Sequence, residues 1–109
     1  MAKNMEIALL LDFYGEMLTE KQKDMIELYY DDDLSLSEIA ENAGMTRQGV
    51  RDSIKKSEAE LRAWDDKLHF TKKIADANEK IADAARTLEK LEQTEEIASV
   101  LALLRSISL

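Results

Sequence analysis

The chain has 109 residues, is 45% hydrophobic and carries a formal net charge of -8. That length and hydrophobic content exclude a disordered acidic chain and suffice for one compact domain, or for a small head with a helical extension. It has no proline, three glycines and no cysteine. This favours an all-α fold, excludes disulfides and thiolate metal sites, and indicates a cytoplasmic protein. The longest early apolar run, Ile7 to Leu11, is too short for a signal peptide or a membrane span.

The first predicted helix runs from about Met5 to Glu16. Its expected core-facing residues recur every four positions and have Leu10 and Tyr14 beside them: Met5, Leu9, Phe13 and Met17. We expect Gly15 and the following residues to break this helix.

Thr19 followed by Gln22 is a capping box, which predicts a second helix over residues 20–30. Its apolar face is expected to hold Met25, Ile26, Tyr29 and Tyr30. Asp31 to Asp33 come next. Three consecutive carboxylates lack the alternating spacing and the glycine of a calcium loop, so we interpret them as a solvated connection.

Ser35 with Glu38 is a second capping box and predicts a short third helix over residues 36–42. Gly44 stands where a left-handed residue ends a helix, and Thr46 can be the N-cap of a fourth helix that continues to about Lys67. Residues 43–45 then form a three-residue turn between two capped helices. This is the connection expected of a helix-turn-helix.

The fourth helix has two distinct faces at 100° per residue. The predicted core side holds Val50, Ile54, Ser57 and Leu61, and the opposite side is polar and mostly basic. In a major groove, Gln can pair with adenine and Arg with guanine. The candidate nucleic-acid-binding residues are Thr46, Arg47, Gln48, Arg51, Asp52, Lys55 and Lys56.

Charge is unevenly distributed along the chain. Residues 1–45 contain eleven acidic and three basic side chains, whereas residues 46–62 contain three acidic and five basic ones. Residues 63–109 contain nine acidic and seven basic side chains. Residues 46–62, which form most of the predicted fourth helix, are therefore the one net-basic block of an acidic chain. As the recognition helix of a helix-turn-helix, this helix would favour specific or modest DNA binding over indiscriminate binding.

We divide the chain into a helix-turn-helix head, residues 1–68, and a helical tail, residues 69–109. The tail has a seven-residue repeat: Ile74, Ile81 and Leu88 at one seam position, Ala77, Ala84 and Leu91 at the other. Thr94 can cap a last helix that is apolar nearly all round. Such a tail must pack against the head or pair with a second subunit, so we expect a dimerisation or docking segment.

The segment "LTEKQKDMIELYYDDDLSLSEIAENAGMTRQGVRDSIKKSEAEL", Leu18 to Leu61, is similar to region 4 of bacterial sigma-70 family factors. This resemblance implies a fold that binds the promoter -35 element. The preceding segment and the acidic tail depart from sigma factors, and no region that would hold the -10 element or core polymerase is present. A working sigma factor is therefore not expected.

The whole chain resembles the YlxM family of small helix-turn-helix proteins. The resemblance is carried by "LLLDFYGEMLTEKQ", "YYDDDLSLSEIAE" and "TRQGVRDSIKK". Genes of this family usually lie beside those of the signal recognition particle GTPases, which implies a regulatory or accessory role in that pathway.

Two functions stay open at this point. The first is a sequence-specific DNA-binding regulator that dimerises through its tail. The second is an accessory protein that binds the GTPase or the RNA of the signal recognition particle with the same basic residues and Arg62. An enzyme is not expected, because the single histidine, His69, has no second histidine, cysteine or phosphate loop to accompany it. No cofactor or metal is indicated, and Trp64 and the three tyrosines are interpreted as core residues.

Overall fold

The computed structural model describes residues 4–107, and it is all-α, as predicted. Its helices are α1 (Met5–Tyr14), a 3₁₀ helix (Gly15–Met17), α2 (Glu20–Tyr30), α3 (Leu36–Ala43), α4 (Arg47–Leu68), α5 (Phe70–Glu89) and α6 (Glu95–Arg105). The chain divides into two compact units, which we call the N-terminal unit, ending at Thr71, and the C-terminal unit, beginning at Lys72.

The predicted core face of α1 was wrong for Met5, Leu9 and Met17, although Leu10 and Tyr14 are buried and Phe13 packs against the core. The buried side of α1 is formed by Ile7, Leu10, Leu11 and Tyr14, while Met5 and Leu9 and, in the 3₁₀ helix, Met17 are exposed. The sequence of α1 is apolar almost throughout, so two stripes have helical spacing. The stripe at i, i+3, i+4 and i+7 is the one that packs.

The end of α1 also differs from the prediction, because a 3₁₀ helix replaces its last turn. Gly15 has helical torsion angles, φ -54° and ψ -35°, so it does not break the helix by a positive φ. It is buried, and a Cβ at this position would lie 3.2 Å from Leu11 Cδ1. Close packing against Leu11 is therefore what this glycine permits.

Both predicted capping boxes are confirmed. The Thr19 side chain accepts a hydrogen bond from the Gln22 backbone N–H, and Gln22 Oε1 accepts one from the Thr19 N–H at 3.1 Å. Ser35 and Glu38 make the same reciprocal pair at the start of α3. Each box satisfies two backbone donors that have no partner within the helix. The boundaries of α2 agree with the prediction, and α3 is one residue longer.

The predicted core side of α4 is confirmed: Val50, Ile54, Ser57 and Leu61 are all buried. Val50, Ile54 and Leu61 join side chains of α1, α2 and α3 in a single hydrophobic cluster. Two polar contacts also join α2 to α4. Tyr30 Oη donates to Glu58 Oε1 at 2.6 Å, and Gln22 Nε2 donates to Glu60 Oε2 at 3.3 Å.

A polar network joins α1 to the end of α4. Tyr14 Oη donates to Asp65 Oδ1 at 2.7 Å and accepts from the Phe70 N–H at 3.2 Å. Asp65 also accepts from the backbone and the hydroxyl of Thr71. Burial raises the pKa of Tyr14, and its hydrogen bond to Asp65 acts in the same direction. Desolvation acts to raise the pKa of Asp65, but hydrogen bonds from Thr71 and Tyr14 hold that pKa below its ordinary value.

The aromatic residues mostly follow the core interpretation. Tyr14 and Tyr29 are buried, whereas Tyr30 and Trp64 are half-buried and pack against the core cluster. Tyr14 stacks on Phe70 with ring centroids 5.9 Å apart. His69 ends α4 in the left-handed region, at φ 57°.

The C-terminal unit contains most of α5 and all of α6. Thr94 caps α6 as predicted, since its side chain accepts from the Ile97 N–H. Leu91 does not lie on the helical seam, because α5 ends at Glu89 and the Gln93 amide donates to the Leu88 and Leu91 carbonyls at 3.0 and 2.9 Å. A cavity of about 370 Å³ has lining residues from α5 and α6, and Arg105 forms an ion pair with Glu89. None of the helices in residues 4–107 has the length and apolar character needed to cross a bilayer.

Candidate nucleic-acid interface

The turn between α3 and α4 has the geometry of a helix-turn-helix. Gly44 ends α3 in the left-handed region, at φ 64° and ψ 33°, and the Met45 N–H donates to the Ala40 carbonyl at 3.0 Å. Thr46 then caps α4 by accepting from the Gly49 N–H at 3.0 Å. Ala43 is the last residue of α3, so the turn begins one residue later than predicted and ends at the predicted cap, Thr46.

The wedge between α3 and α4 is apolar and well buried. Ile39 and Val50 are fully buried, and Ala40 is buried where a small side chain lets the two helices approach. Because both helices contribute to the main core cluster, the angle between them is fixed by packing rather than by the turn alone. The exposed side of α4 is therefore presented on a rigid element.

The structure places all seven predicted site residues on the surface. Thr46 is at the N-cap, and the other six occupy the first three turns of α4: Arg47, Gln48, Arg51, Asp52, Lys55 and Lys56. Most of them project away from the buried side of α4, with Arg47 on the flank near the N-terminus, which is an arrangement expected of a helix that enters a major groove. Arg62 is exposed two turns further along.

Three of these residues share one concave surface with α3. A cavity of about 320 Å³ is lined by Arg47, Gln48 and Arg51 of α4 and by Leu36 of α3. Leu36 was not among the predicted site residues. It belongs to the first turn of α3, so only the packing of the two helices brings it to this surface.

The side chains of Gln48 and Asp52 are joined by a hydrogen bond. Gln48 Nε2 donates to Asp52 Oδ1 at 2.8 Å, one helical turn apart. Because a carboxylate accepts and does not donate, this contact directs the Gln48 amide nitrogen toward Asp52 and leaves Oε1 directed away from it. Asp52 thus contacts another of the seven predicted site residues.

Carboxylates lie closer to the recognition helix than the charge distribution along the chain indicates. A second cavity, of about 310 Å³, has both Arg47 and the acidic residues Asp33 and Glu38 among its lining residues. Asp33 precedes the N-cap of α3, and Glu38 is committed to the capping box there. The capping box fixes where α3 starts along the chain, but the packing of α3 against α4 is what brings these carboxylates to Arg47.

The N-terminal unit therefore defines a helix-turn-helix protein with a capped, exposed and mostly basic second helix. Residues 1–100 match the family model described as "Putative helix-turn-helix protein, YlxM / p13 like", named UPF0122. The chain belongs to this family.

Three relatives, each named only as a UPF0122 protein, illustrate the similarity. A protein of Desulforamulus reducens is 41% identical over 90 residues, covering 83% of this chain and 77% of the relative. One of Clostridium kluyveri is 45% identical over 82 residues, covering 73% and 74%. One of Halalkalibacterium halodurans is 38% identical over 99 residues, covering 91% of each.

Proposed function

We propose that this protein is a DNA-binding regulator that places α4 in the major groove. The observation that carries this proposal is the exposed polar face of α4, held by the caps and the buried wedge of the helix-turn-helix. Gln48 and Arg51 are the base-reading residues, because they project from successive turns on the same face. Lys55 and Lys56 contact phosphates, and Thr46 fixes the start of the helix.

The Gln48–Asp52 hydrogen bond supports adenine as the base that Gln48 reads. With one amide hydrogen donated to Asp52, Gln48 keeps Oε1 to accept from the adenine amino group and its second amide hydrogen for N7. Asp52 disfavours the flipped amide, since that would bring two acceptors together. Asp52 therefore acts as a positioning residue for Gln48.

The acidic surroundings favour site-specific binding of modest strength. Asp33 and Glu38 near Arg47 weaken its attraction to phosphate, and this loss affects every duplex equally. The weaker attraction of Arg47 to phosphate does not change the base contacts that Gln48 and Arg51 make at the target site. A regulator of this kind distinguishes its target site from other DNA through base contacts more than through phosphate contacts.

We further propose that the protein acts as a cytoplasmic homodimer without catalytic activity or cofactor. Exposed apolar side chains of the C-terminal unit support pairing, since Val100, Leu103 and Ile107 are on the surface of the chain. Two copies would present two recognition helices to two half-sites. The domain roles follow: the head binds DNA, and the tail dimerises.

Selection of bound sequences from a mixed pool of DNA and RNA tests this function. We expect a duplex DNA site to be enriched. Arg51→Ala and Gln48→Ala should then each lose about 1–3 kcal/mol of base discrimination at one position. Lys56→Ala should weaken binding evenly across sequences and reduce the salt dependence. No enrichment of duplex DNA at low salt would overturn the proposal.

A second candidate function is that of an accessory protein in the signal recognition particle pathway. The exposed basic side chains of α4 also support this alternative, because the phosphates of an RNA loop or an acidic protein surface would attract them. In this case Arg47, Arg51, Lys55, Lys56 and Arg62 contact RNA or an acidic protein surface. Recovery of particle RNA or GTPase on the immobilised protein, together with no DNA enrichment, would favour this candidate.

A further inference from the structure

The outer side of α1 and the 3₁₀ helix combines apolar and acidic side chains. Over residues 5–17, the exposed side chains are three apolar and three acidic ones: Met5, Leu9, Met17, Glu6, Asp12 and Glu16. Met5 is 82% exposed, Leu9 48% and Met17 53%. We call these six residues the α1 stripe.

Met5 and Leu9 of the α1 stripe are neighbours on the surface of α1, and Met17 follows them in the 3₁₀ helix. Residues four apart in a helix lie one above the other, so Met5 adjoins Leu9, and Leu9 adjoins Phe13. Phe13 is half-buried and packs on the core. Met17 follows Phe13 by four positions. A single exposed apolar residue needs no explanation, but a connected row of them marks an interaction surface. Two are methionines, whose flexible side chains adapt to different partner shapes.

The charged side chains of α1 and the 3₁₀ helix themselves are all acidic. Residues 4–18 contain Glu6, Asp12 and Glu16 and no lysine or arginine. Glu16 forms an ion pair with Lys23 of α2, so the negative charge that a partner would meet is concentrated at Glu6 and Asp12. A partner that covers the apolar row must place its own flanking charges near these carboxylates, and positive charges are favoured there.

We propose that the α1 stripe is a docking surface for a basic amphipathic helix of another protein. Such a helix lays an apolar face along the row Met5, Leu9, Phe13 and Met17, and its flanking Lys or Arg side chains meet Glu6 and Asp12. This surface is separate from the candidate nucleic-acid interface on α4.

A second copy of this chain is a poorer occupant on grounds of charge. Two α1 stripes facing each other would bring carboxylates of the same sign together. The helix α5 has four basic and four acidic side chains, and α6 has two acidic and one basic. The exposed basic face of α4 lacks an apolar row. Among the helices described in residues 4–107, none is therefore both apolar on one side and basic on its flanks.

A peptide titration of the full-length protein tests this proposal. The probe is a synthetic peptide of about 18 residues with leucines at i, i+3, i+4 and i+7 spacing and lysines elsewhere. Its matched control has glutamates in place of the lysines. Calorimetry should show the basic peptide binding at least about tenfold more tightly than the acidic one, as expected if opposite charges favour the contact.

Variants locate the binding site. Leu9→Ser with Met17→Ser should weaken binding of the basic peptide about tenfold or more, because two buried apolar contacts are lost. Leu91→Ser, at an exposed leucine that follows α5, is the matched apolar control and should leave the affinity unchanged. Asp12→Asn should weaken binding a few-fold, whereas Asp32→Asn, in the loop after α2, should not.

Three results would overturn the proposal. The first is equal binding of the basic and acidic peptides. The second is unchanged affinity in the Leu9→Ser and Met17→Ser double variant, or an equal loss in the control variants. The third is a change from dimer to monomer in that double variant by sedimentation, which would assign the α1 stripe to a second copy.

Discussion

The N-terminal and C-terminal units stabilise their helices in different ways. Fourteen buried hydrophobic side chains form one cluster in the N-terminal unit, contributed by α1 to α4 and the connections between them. In the described part of the C-terminal unit, Leu101 is the one buried hydrophobic residue, and α5 has none. Helices need tertiary packing for most of their stability in water. The first unit has that packing within itself, and the second has little of it.

This contrast indicates which unit depends on a partner. A two-helix unit with one buried leucine gains stability from covering its exposed apolar residues, whether by a second copy or by another surface. A helix-turn-helix with a complete core does not need this. The N-terminal unit should therefore fold at any protein concentration, while the helicity of the C-terminal unit should rise with concentration if the chain dimerises.

The largest expected effect is on the core of the N-terminal unit. Ile54→Ala should lower the free energy of unfolding by about 2–5 kcal/mol, because the fully buried Ile54 leaves a cavity when truncated. Leu91→Ala, at a leucine that is 50% exposed and follows the end of α5, is the control and should change it by less than about 0.5 kcal/mol. Urea unfolding followed by circular dichroism measures both. Equal losses would contradict the contrast between the units.

Loss of the Asp65 carboxylate should have the next largest effect. Asp65→Ala removes the acceptor of the buried Tyr14 hydroxyl and of Thr71, so we expect a cost of about 1–3 kcal/mol. Tyr14→Phe removes the hydroxyl that donates to Asp65. When both residues are changed, the Tyr14 hydroxyl is not left unpaired, so the double variant should lose less stability than the sum of the two single variants. Strict additivity in a double-mutant cycle would show that the network is not coupled.

The same carboxylate predicts acid sensitivity. The pKa of Asp65 is lowered in the folded protein, so its contribution to stability is fully present above the unfolded value of about 3.9 and is lost as the pH falls through the folded value. Unfolding measured from pH 7 down to pH 2 should show a smaller acid-induced loss in Asp65→Asn than in the wild type. Parallel curves for the two proteins would contradict this prediction.

A smaller effect is expected at the turn of the helix-turn-helix. Gly44→Ala should cost about 1–2 kcal/mol, since φ 64° is unfavourable for a residue with a Cβ. A Cβ at this position meets no atom within 4 Å, so the cost is conformational and not steric. Gly44→Asn should cost less, because asparagine tolerates this region better. Thermal unfolding of both variants measures the difference, and a greater loss in Gly44→Asn would contradict the conformational explanation.

The smallest expected effect is a gain. Ser57 is buried in the core, and its hydroxyl has no hydrogen-bond partner within residues 4–107. Ser57→Ala removes an unsatisfied polar group and improves helix propensity, so stability should rise by up to about 1 kcal/mol. Ser53→Ala, at a half-buried serine of the same helix, serves as the control for propensity. A net loss in Ser57→Ala would indicate that the hydroxyl is satisfied.

The helix-turn-helix could be predicted almost residue by residue. Its signals are local: a hydroxyl or glycine at each helix end and an amphipathic period on α4 decide the structure without reference to distant residues. The exposure of Gln48, Arg51 and Lys55 followed from the same period. Their use on nucleic acid stays a prediction, because folding does not depend on it.

The orientation of α1 could not be predicted in this way. Its sequence is apolar on nearly all sides, so periodicity allowed Met5 and Leu9 as readily as Ile7 and Leu11 to face the core. The same limit applied to Leu91, which continues the heptad repeat but follows the end of α5. Periodicity defines a face only while the helix continues and its other face is polar.

The sequence by itself determined the all-α fold, the caps and the buried side of α4, because each depends on contacts within a few residues. Tertiary structure alone decided which stripe of α1 is buried, which carboxylates lie near Arg47 and which side chain meets the Tyr14 hydroxyl. These contacts join residues that are distant along the chain. They depend on how helices pack, and packing selects among faces that local chemistry leaves equivalent.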